Sequence, residues 1–113
     1  MSAKFCIFKS GLDGDYYFHL QAANGEIVLS GEGYTTKQSC RDGIISVKLN
    51  AGSEQRFERR NSYMNYRFNL HGANGKIIAR SEGYYSAQNR DEGIMTVKRL
   101  APTAVVVDAT MTV

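Results

Sequence analysis

A chain of 113 residues has room for one domain of ordinary size, whereas two separate units of half that length would each bury too little surface to stand alone. A hydrophobic content of 42% and a charged content of 22% exclude extended disorder, and a net charge of +3 is too mild to argue for a polyanionic partner by itself. No apolar run approaches the length of a membrane span and Met1-Ser2-Ala3-Lys4 does not open a secretory leader, so a cytoplasmic protein without membrane contact is expected, with Cys6 and Cys40 as separate reduced thiols.

Lys4–Phe8 reads as a strand with Phe5 and Ile7 turned inward. From Tyr16 two β-type runs flank Asn24-Gly25, which predicts a hairpin of about 16–22 with 26–31 closed by a two-residue type I′ turn. That turn places Ala22 opposite Ile27, Leu20 opposite Leu29 and Phe18 opposite Gly31. Alternation then buries Phe18, Leu20 and Ile27 and turns Tyr17, His19, Gln21 and Val28 to the other face. After Glu32-Gly33-Tyr34, Thr36 offers an N-cap. Cys40, Gly43, Ile44 and Val47 follow at i, i+3, i+4, i+7 spacing, and Lys48 closes the last turn of the amphipathic helix they define.

Fifty positions on, the chain repeats itself. Tyr16-x-Phe18-x-Leu20-x-x-Ala23-Asn24-Gly25-x-Ile27 returns as Tyr66-x-Phe68-x-Leu70-x-x-Ala73-Asn74-Gly75-x-Ile77. Glu32-Gly33-Tyr34 returns as Glu82-Gly83-Tyr84. About sixteen of roughly 36 aligned positions are identical without a gap, the mark of a tandem duplication. Gln55–Glu58 stands where the first strand stood, with Phe57 inward. A second hairpin of about 66–72 with 76–81 pairs Gly72 with Ile77 and Leu70 with Ala79. It buries Phe68, Leu70 and Ile77 and exposes Arg67, Asn69, His71, Ile78 and Arg80. Ser86 caps a second helix carrying Gly93, Ile94, Val97 and Lys98. A helical glycine costs about 1 kcal/mol relative to alanine, so Gly43 and its repeat Gly93 predict that the helix backbone approaches the sheet closely there.

Ala104–Asp108 is a third copy of the strand pattern, with Val105 and Val107 inward. Three strands of this kind for two hairpins and two helices imply that the middle one ends the first unit and begins the second. The expected architecture is α+β: tandem β-β-β-α repeats forming one antiparallel sheet, two helices on one face, and exchanged terminal strands. A single domain is expected over 1–113, with pseudo-repeats at about 1–52 and 53–108 and a flexible tail at 109–113.

The pattern Phe-x-Leu-x-x-x-Asn-Gly-x-Ile, then Ser81-Glu82-x-Tyr84, then Gly93-Ile94-x-Thr96-Val97-Lys98, present in two ordered copies from Phe5 to Asp108, resembles the YegP-like family of small bacterial proteins. Gly31 in place of the serine and Thr96 in place of a second serine are minor departures. The resemblance implies a β-β-β-α unit, paired in tandem or as a dimer into one sheet with helices on one side and exchanged terminal strands. It supplies no reaction, ligand or catalytic residue.

Chemistry-bearing residues do not assemble into a reaction centre. His19 and His71 do not align with one another and lack convergent metal or acid–base partners. Glu32 and Glu82 recur at a strand-to-helix corner, where Glu82 has Arg67 opposite as a salt-bridge partner. There is no phosphate-cradling glycine loop, nucleophile elbow or CxxC pair. Neither an enzyme nor a cofactor or metal is therefore expected. The candidate binding face comprises Tyr17, His19, Val28, Arg56, Arg67, Asn69, His71, Ile78 and Arg80. Val28 and Ile78 suit contact with a protein partner or a second copy. Arg56, Arg59, Arg60, Arg67 and Arg80, interleaved with Tyr63, Tyr66 and Tyr85, offer the alternative of weak single-stranded nucleic-acid binding. The leading expectation is a small binding protein that contacts another protein or itself.

Overall fold

The computed structural model describes residues 2–110. Its elements are β1 (Lys4–Lys9), β2 (Tyr16–Gln21), β3 (Ile27–Gly31), α1 (Lys37–Asn50), a 3-10 turn at Glu54–Arg56, β4 (Phe57–Ser62), β5 (Asn65–His71), β6 (Ile77–Arg80), α2 (Ala87–Leu100) and β7 (Val105–Asp108). The seven strands form one sheet in the order β4-β5-β6-β3-β2-β1-β7. No helix among the described residues is long and apolar enough to cross a membrane.

The helices start and bury as their sequences dictate. The side chains of Thr36 and Ser86 accept from the backbone N–H groups of Ser39 and Asn89, and each cap removes one orphan donor of a first turn. Cys40, Gly43, Ile44 and Val47 of α1 are buried, as are Arg90, Gly93, Ile94 and Val97 of α2. They pack on Phe5, Phe18, Leu20, Leu29, Phe57, Phe68 and Leu70, which are all buried. α1 reaches across to β5 and β6 of the second unit, and α2 reaches β3 of the first. A single core therefore serves both repeats.

The two recurring helical glycines do not meet the sheet itself. A Cβ on Gly43 would lie 2.7 Å from Tyr34 Cζ, one on Gly93 2.7 Å from Tyr84 Cζ, and each would be nearer still to the hydroxyl. Both tyrosines stand in a strap that crosses from hairpin to helix. The strap is fixed by backbone bridges of Tyr34 to Tyr16 and of Tyr84 to Tyr66.

The hairpin turns differ from the two-residue form expected. Gly25 donates to Ala22 O at 2.9 Å and Ala22 to Glu26 O at 2.8 Å, and Gly25 has φ +87° whereas Asn24 is not in the left-handed region. This is a three-residue loop in which glycine alone takes the left-handed conformation. Asn24 instead accepts the N–H of Glu26 at 2.9 Å. The extra residue shifts the register after Leu20, so Leu20 faces Leu29 as expected but Gln21, not Ala22, faces Ile27. Leu70 and Ala79 likewise pair, while His71 rather than Gly72 faces Ile77. A one-residue shift turns every later side chain over. Val28 is accordingly buried, Ile78 packs against the core, and Ile27 and Ile77 move to the open face, the reverse of the expected arrangement.

The sheet is antiparallel in every pairing but one. β7 lies parallel to β1, with Phe5 beside Val106 and Ile7 beside Asp108. The pseudo-twofold explains the exception. Lys98 of α2 pairs with Glu54, just after α1, and Lys48 of α1 donates to Ala104 O at 2.8 Å, just after α2. Each post-helix segment thus crosses to the other unit, as the count of three strands implied. β4 takes the same place beside β5 that β1 takes beside β2, since Phe57 faces Leu70 as Phe5 faces Leu20. β7, the image of β4, must run in the direction of β1, and with the place next to β2 filled it lies outside β1. Its register sets Val105 beside Lys4 and Val107 beside Cys6, which turns these two valines to the open face, exposed instead of inward.

Of the residues expected as a flexible tail, Ala109 donates to Ile7 O at 2.9 Å and Thr110 N–H to Asp108 Oδ1 at 2.9 Å. Residues 111–113 lie outside the described set.

Candidate functional site

Helices cover one side of the sheet, so the other side is the largest surface that the fold leaves bare. The strand registers place a row of side chains across it from edge to edge: Glu58, Asn69, Arg80, Ser30, His19, Cys6 and Val107. Tyr17, His19, Arg67, Asn69, His71 and Arg80 of the predicted face therefore share one surface. Val28 and Ile78 leave it for the reason given above. Arg56 leaves it as well, because it lies on the 3-10 turn ahead of β4.

The second unit supplies a polar half. A groove of about 500 Å³ is lined by Glu58, Arg60, Asn65, Arg67, Ile77 and Arg80 among others. Arg60 and Arg67 are direct cross-strand partners, a like-charge pairing that destabilises a sheet unless something offsets it. Arg60 is answered by Glu58 at 3.1 Å and Arg80 by Glu32 at 3.1 Å, whereas Arg67 enters no ion pair among the described residues. The expected Glu82–Arg67 bridge is thus absent there. Arg80 instead stands beside Ser30, where the two units meet, and takes Glu32 of the first unit.

His71 closes this half. Its Nδ1 lies 2.7 Å from Gly75 O and its Nε2 2.9 Å from Glu58 Oε1. Two acceptors on one ring call for a proton on both nitrogens. The bond to Glu58, reinforced by that to Gly75, raises the imidazole above its ordinary value. His71, with Asn69 and Arg60 adding to the effect, pulls the Glu58 carboxyl down to about 2.

The first unit supplies an aromatic half. Phe8 stacks on Tyr17 with centroids 5.9 Å apart and lies 5.1 Å from His19. Tyr17 O–H donates to Asp13 at 2.6 Å, which raises the phenol. Desolvation lowers His19, so the two histidines on this face are shifted in opposite directions. At the far edge β7 presents Val105, Val106 and Val107 at 58%, 38% and 38% exposure. Nothing in this strand blunts the edge: it holds neither lysine nor proline, and its one charged residue is Asp108.

Asp108 is already engaged. Lys37 Nζ lies 3.0 Å and Arg41 Nη2 3.2 Å from its Oδ2. Thr110 and then Lys37 draw its pKa down to about 2. In the second unit the polarity is reversed. Arg59 takes the place corresponding to Ile7 and bonds Asp91 at 3.0 Å and Glu54 at 2.7 Å, Asp91 being the counterpart of Arg41. Arg90, 4% exposed, replaces Cys40. It donates to Asn61 Oδ1 at 2.7 Å and Asp91 Oδ1 at 2.8 Å and lies 5.8 Å over the Tyr66 ring. Burial pushes the Cys40 thiol to about 11, which keeps it inert. The sequence shows arginine against cysteine at these matched positions, but Asn61 and Arg59 become visible as partners only in three dimensions.

The profile of the family described as DUF1508, a domain of unknown function, matches residues 13–58 and 63–108. Each match runs from hairpin through helix into the strand that crosses over. A solution NMR structure of YegP from E. coli, a protein of unknown function, is similar with a TM-score of 0.90 and 38% identity over 100% of this chain and 97% of that one. The UPF0339 protein SO3888 of Shewanella oneidensis gives 0.89 and 36% over 97% and 93%. The UPF0339 protein YegP of Yersinia pestis is 42% identical over 57 residues, 50% of this chain and 51% of that protein. The chain spans about half the length of the curated relatives it matches.

Proposed function

The chain belongs to the DUF1508 family, whose description assigns no activity, and from the surface of this molecule we propose that it works by binding another protein chain and not by catalysis. The observation that carries the proposal is the β7 edge, with three consecutive exposed valines on a strand whose outer side has no neighbour among the described residues. Such an edge is a template for one more strand. The convergent charged groups also favour binding, since Arg59, Arg90 and Asp108 are engaged in closing the fold. We place the protein in the cytoplasm, a reading supported by the free thiols of Cys6 and Cys40. The test is capture from lysate of the native host with the wild-type chain and with a Val105→Lys/Val107→Lys variant. Proteins held by the wild type and lost by the variant support the reading; identical captures refute it.

A second reading, weak binding of single-stranded nucleic acid, is favoured by the Arg60–Arg67 juxtaposition beside Arg80 and by the aromatic half of the same face. It requires affinity that falls with salt and that Arg67→Ala weakens.

A further inference from the structure

The β7 edge is self-complementary, and we propose that its occupant is a second copy of this chain, the two β7 strands pairing antiparallel about Val106 to join two seven-stranded sheets. This rests on the binding reading above and names its partner. Ala109 N–H reaches Ile7 O at 2.9 Å, and in a parallel ladder residues on one side of a strand alternate with those on the other. Val105, Val107 and Ala109 therefore point their N–H and C=O groups at β1. Val106 and Asp108 point theirs outward, where no strand lies among the described residues.

Antiparallel pairing requires opposed residues to lie on the same face. Setting Val106 opposite Val106 of the second copy meets this condition. Val105 then faces Val107 of the second copy on the open side, and the pairing stops at Ala104, which is buried with its N–H given to Leu100 O and its C=O to Lys48. The central pair exchanges two backbone hydrogen bonds. The opposed positions are all valines, and the charge of the neighbouring Asp108 is already answered by Lys37 and Arg41 of its own chain. The symmetry is a twofold perpendicular to the sheet, which keeps both helix layers on one side and closes the assembly at two copies.

β4, at the other end of the sheet, does not offer the same template. Arg59, drawn to Asp91 and Glu54, stands where the first unit has Ile7, and Arg60 and Glu58 occupy the adjoining positions. These inward and outward charges mark a protected edge.

Sedimentation velocity on the full chain across a wide concentration range is the first test. A sedimentation coefficient rising from monomer to dimer is expected, with Val106→Pro held at monomer. Proline at this position removes an outward N–H and spares the ladder to β1, so circular dichroism and melting of the variant should match the wild type. Oxidative cross-linking tests the register independently of that variant. In a Cys6→Ser background, Val106→Cys should link two chains, because opposed residues of a hydrogen-bonded pair sit about 5.5 Å apart at Cα, within disulfide reach. Val105→Cys, which faces a different residue, should not. A wild type that stays monomeric throughout, a dimer that survives Val106→Pro, or equal cross-linking at both positions would overturn the proposal. Monomeric behaviour with β7-dependent capture from lysate would reject the second copy and leave the binding reading standing.

Discussion

Alanine in place of Gly93 sets two known effects against each other, and the structure decides the sign. Helix propensity favours the substitution by about 1 kcal/mol. Against it, the new Cβ would lie 2.7 Å from Tyr84 Cζ, about 0.8 Å inside normal carbon contact. The ring cannot swing away freely, because Tyr84 is tied through its backbone to Tyr66 and packs against the core. Overpacking of this kind costs about 1–3 kcal/mol, so Gly93→Ala should be destabilising by about 1 kcal/mol net. In a Tyr84→Ala background the obstacle is gone and the same change should be stabilising by about 1 kcal/mol. A double-mutant cycle by urea denaturation should therefore return a coupling of about 2 kcal/mol with a reversal of sign. Tyr84→Phe removes the hydroxyl and leaves the ring carbon, so it should give an intermediate value. Stabilisation by Gly93→Ala in the wild-type background, or equal loss in both backgrounds, would refute the steric account.

Three further outcomes follow from the charged groups. Arg90→Ala should cost roughly 3 kcal/mol, about 1.6 from the two buried methylenes beyond Cβ and the rest from the charge-assisted bond to Asn61; Asp91 keeps Arg59 and is not stranded, and a loss below about 1 kcal/mol would contradict this. The Glu58–His71 bond should give stability a maximum between the ordinary values of 4.5 and 6.5. The depressed carboxyl contributes fully above 4.5 and is lost as pH falls towards about 2, while the raised imidazole contributes fully below 6.5 and is lost as pH climbs through its higher folded value. Glu58→Gln should flatten both limbs in denaturation curves taken across pH. Asp108→Asn should loosen β7 from Lys37 and Arg41 and hasten hydrogen exchange at Ala109 while the amides of α1 stay unchanged; equal protection in both proteins would show that the ladder to β1 alone holds the strand.

Much of this fold is legible in residues whose physics is local. Thr36 and Ser86 are caps wherever they precede a periodic apolar set, and Phe18, Leu20, Phe68 and Leu70 have the alternation that buries them. The fifty-residue echo required the strand exchange that Lys48 and Lys98 complete. The exception is a single turn. Asn-Gly suits a two-residue loop, but here Asn24 folds over the N–H of Glu26 and leaves the left-handed conformation to glycine alone. That one residue moved Val28 and Ile78 from the open face to the core side. It also takes from the open face the two aliphatic side chains that would suit a protein contact. The edge that replaces them was hidden for a different reason: three valines in a row look like an interior strand, and only the sheet order puts β7 outermost. Arg90 was visible as a replacement of cysteine, yet its meaning depended on Asn61 and Arg59, far away in sequence.

The inverted ion pairs give the duplication a direction. Arg41 meets Asp108 in one half, and Asp91 meets Arg59 in the other, so the halves have become lock and key where they began as twins. A chain assembled from two identical halves would set like charges together or strand one of them. The ancestral symmetry survives in the backbone and the shared core but not at these charged positions, and neither half can any longer be traded for its sibling.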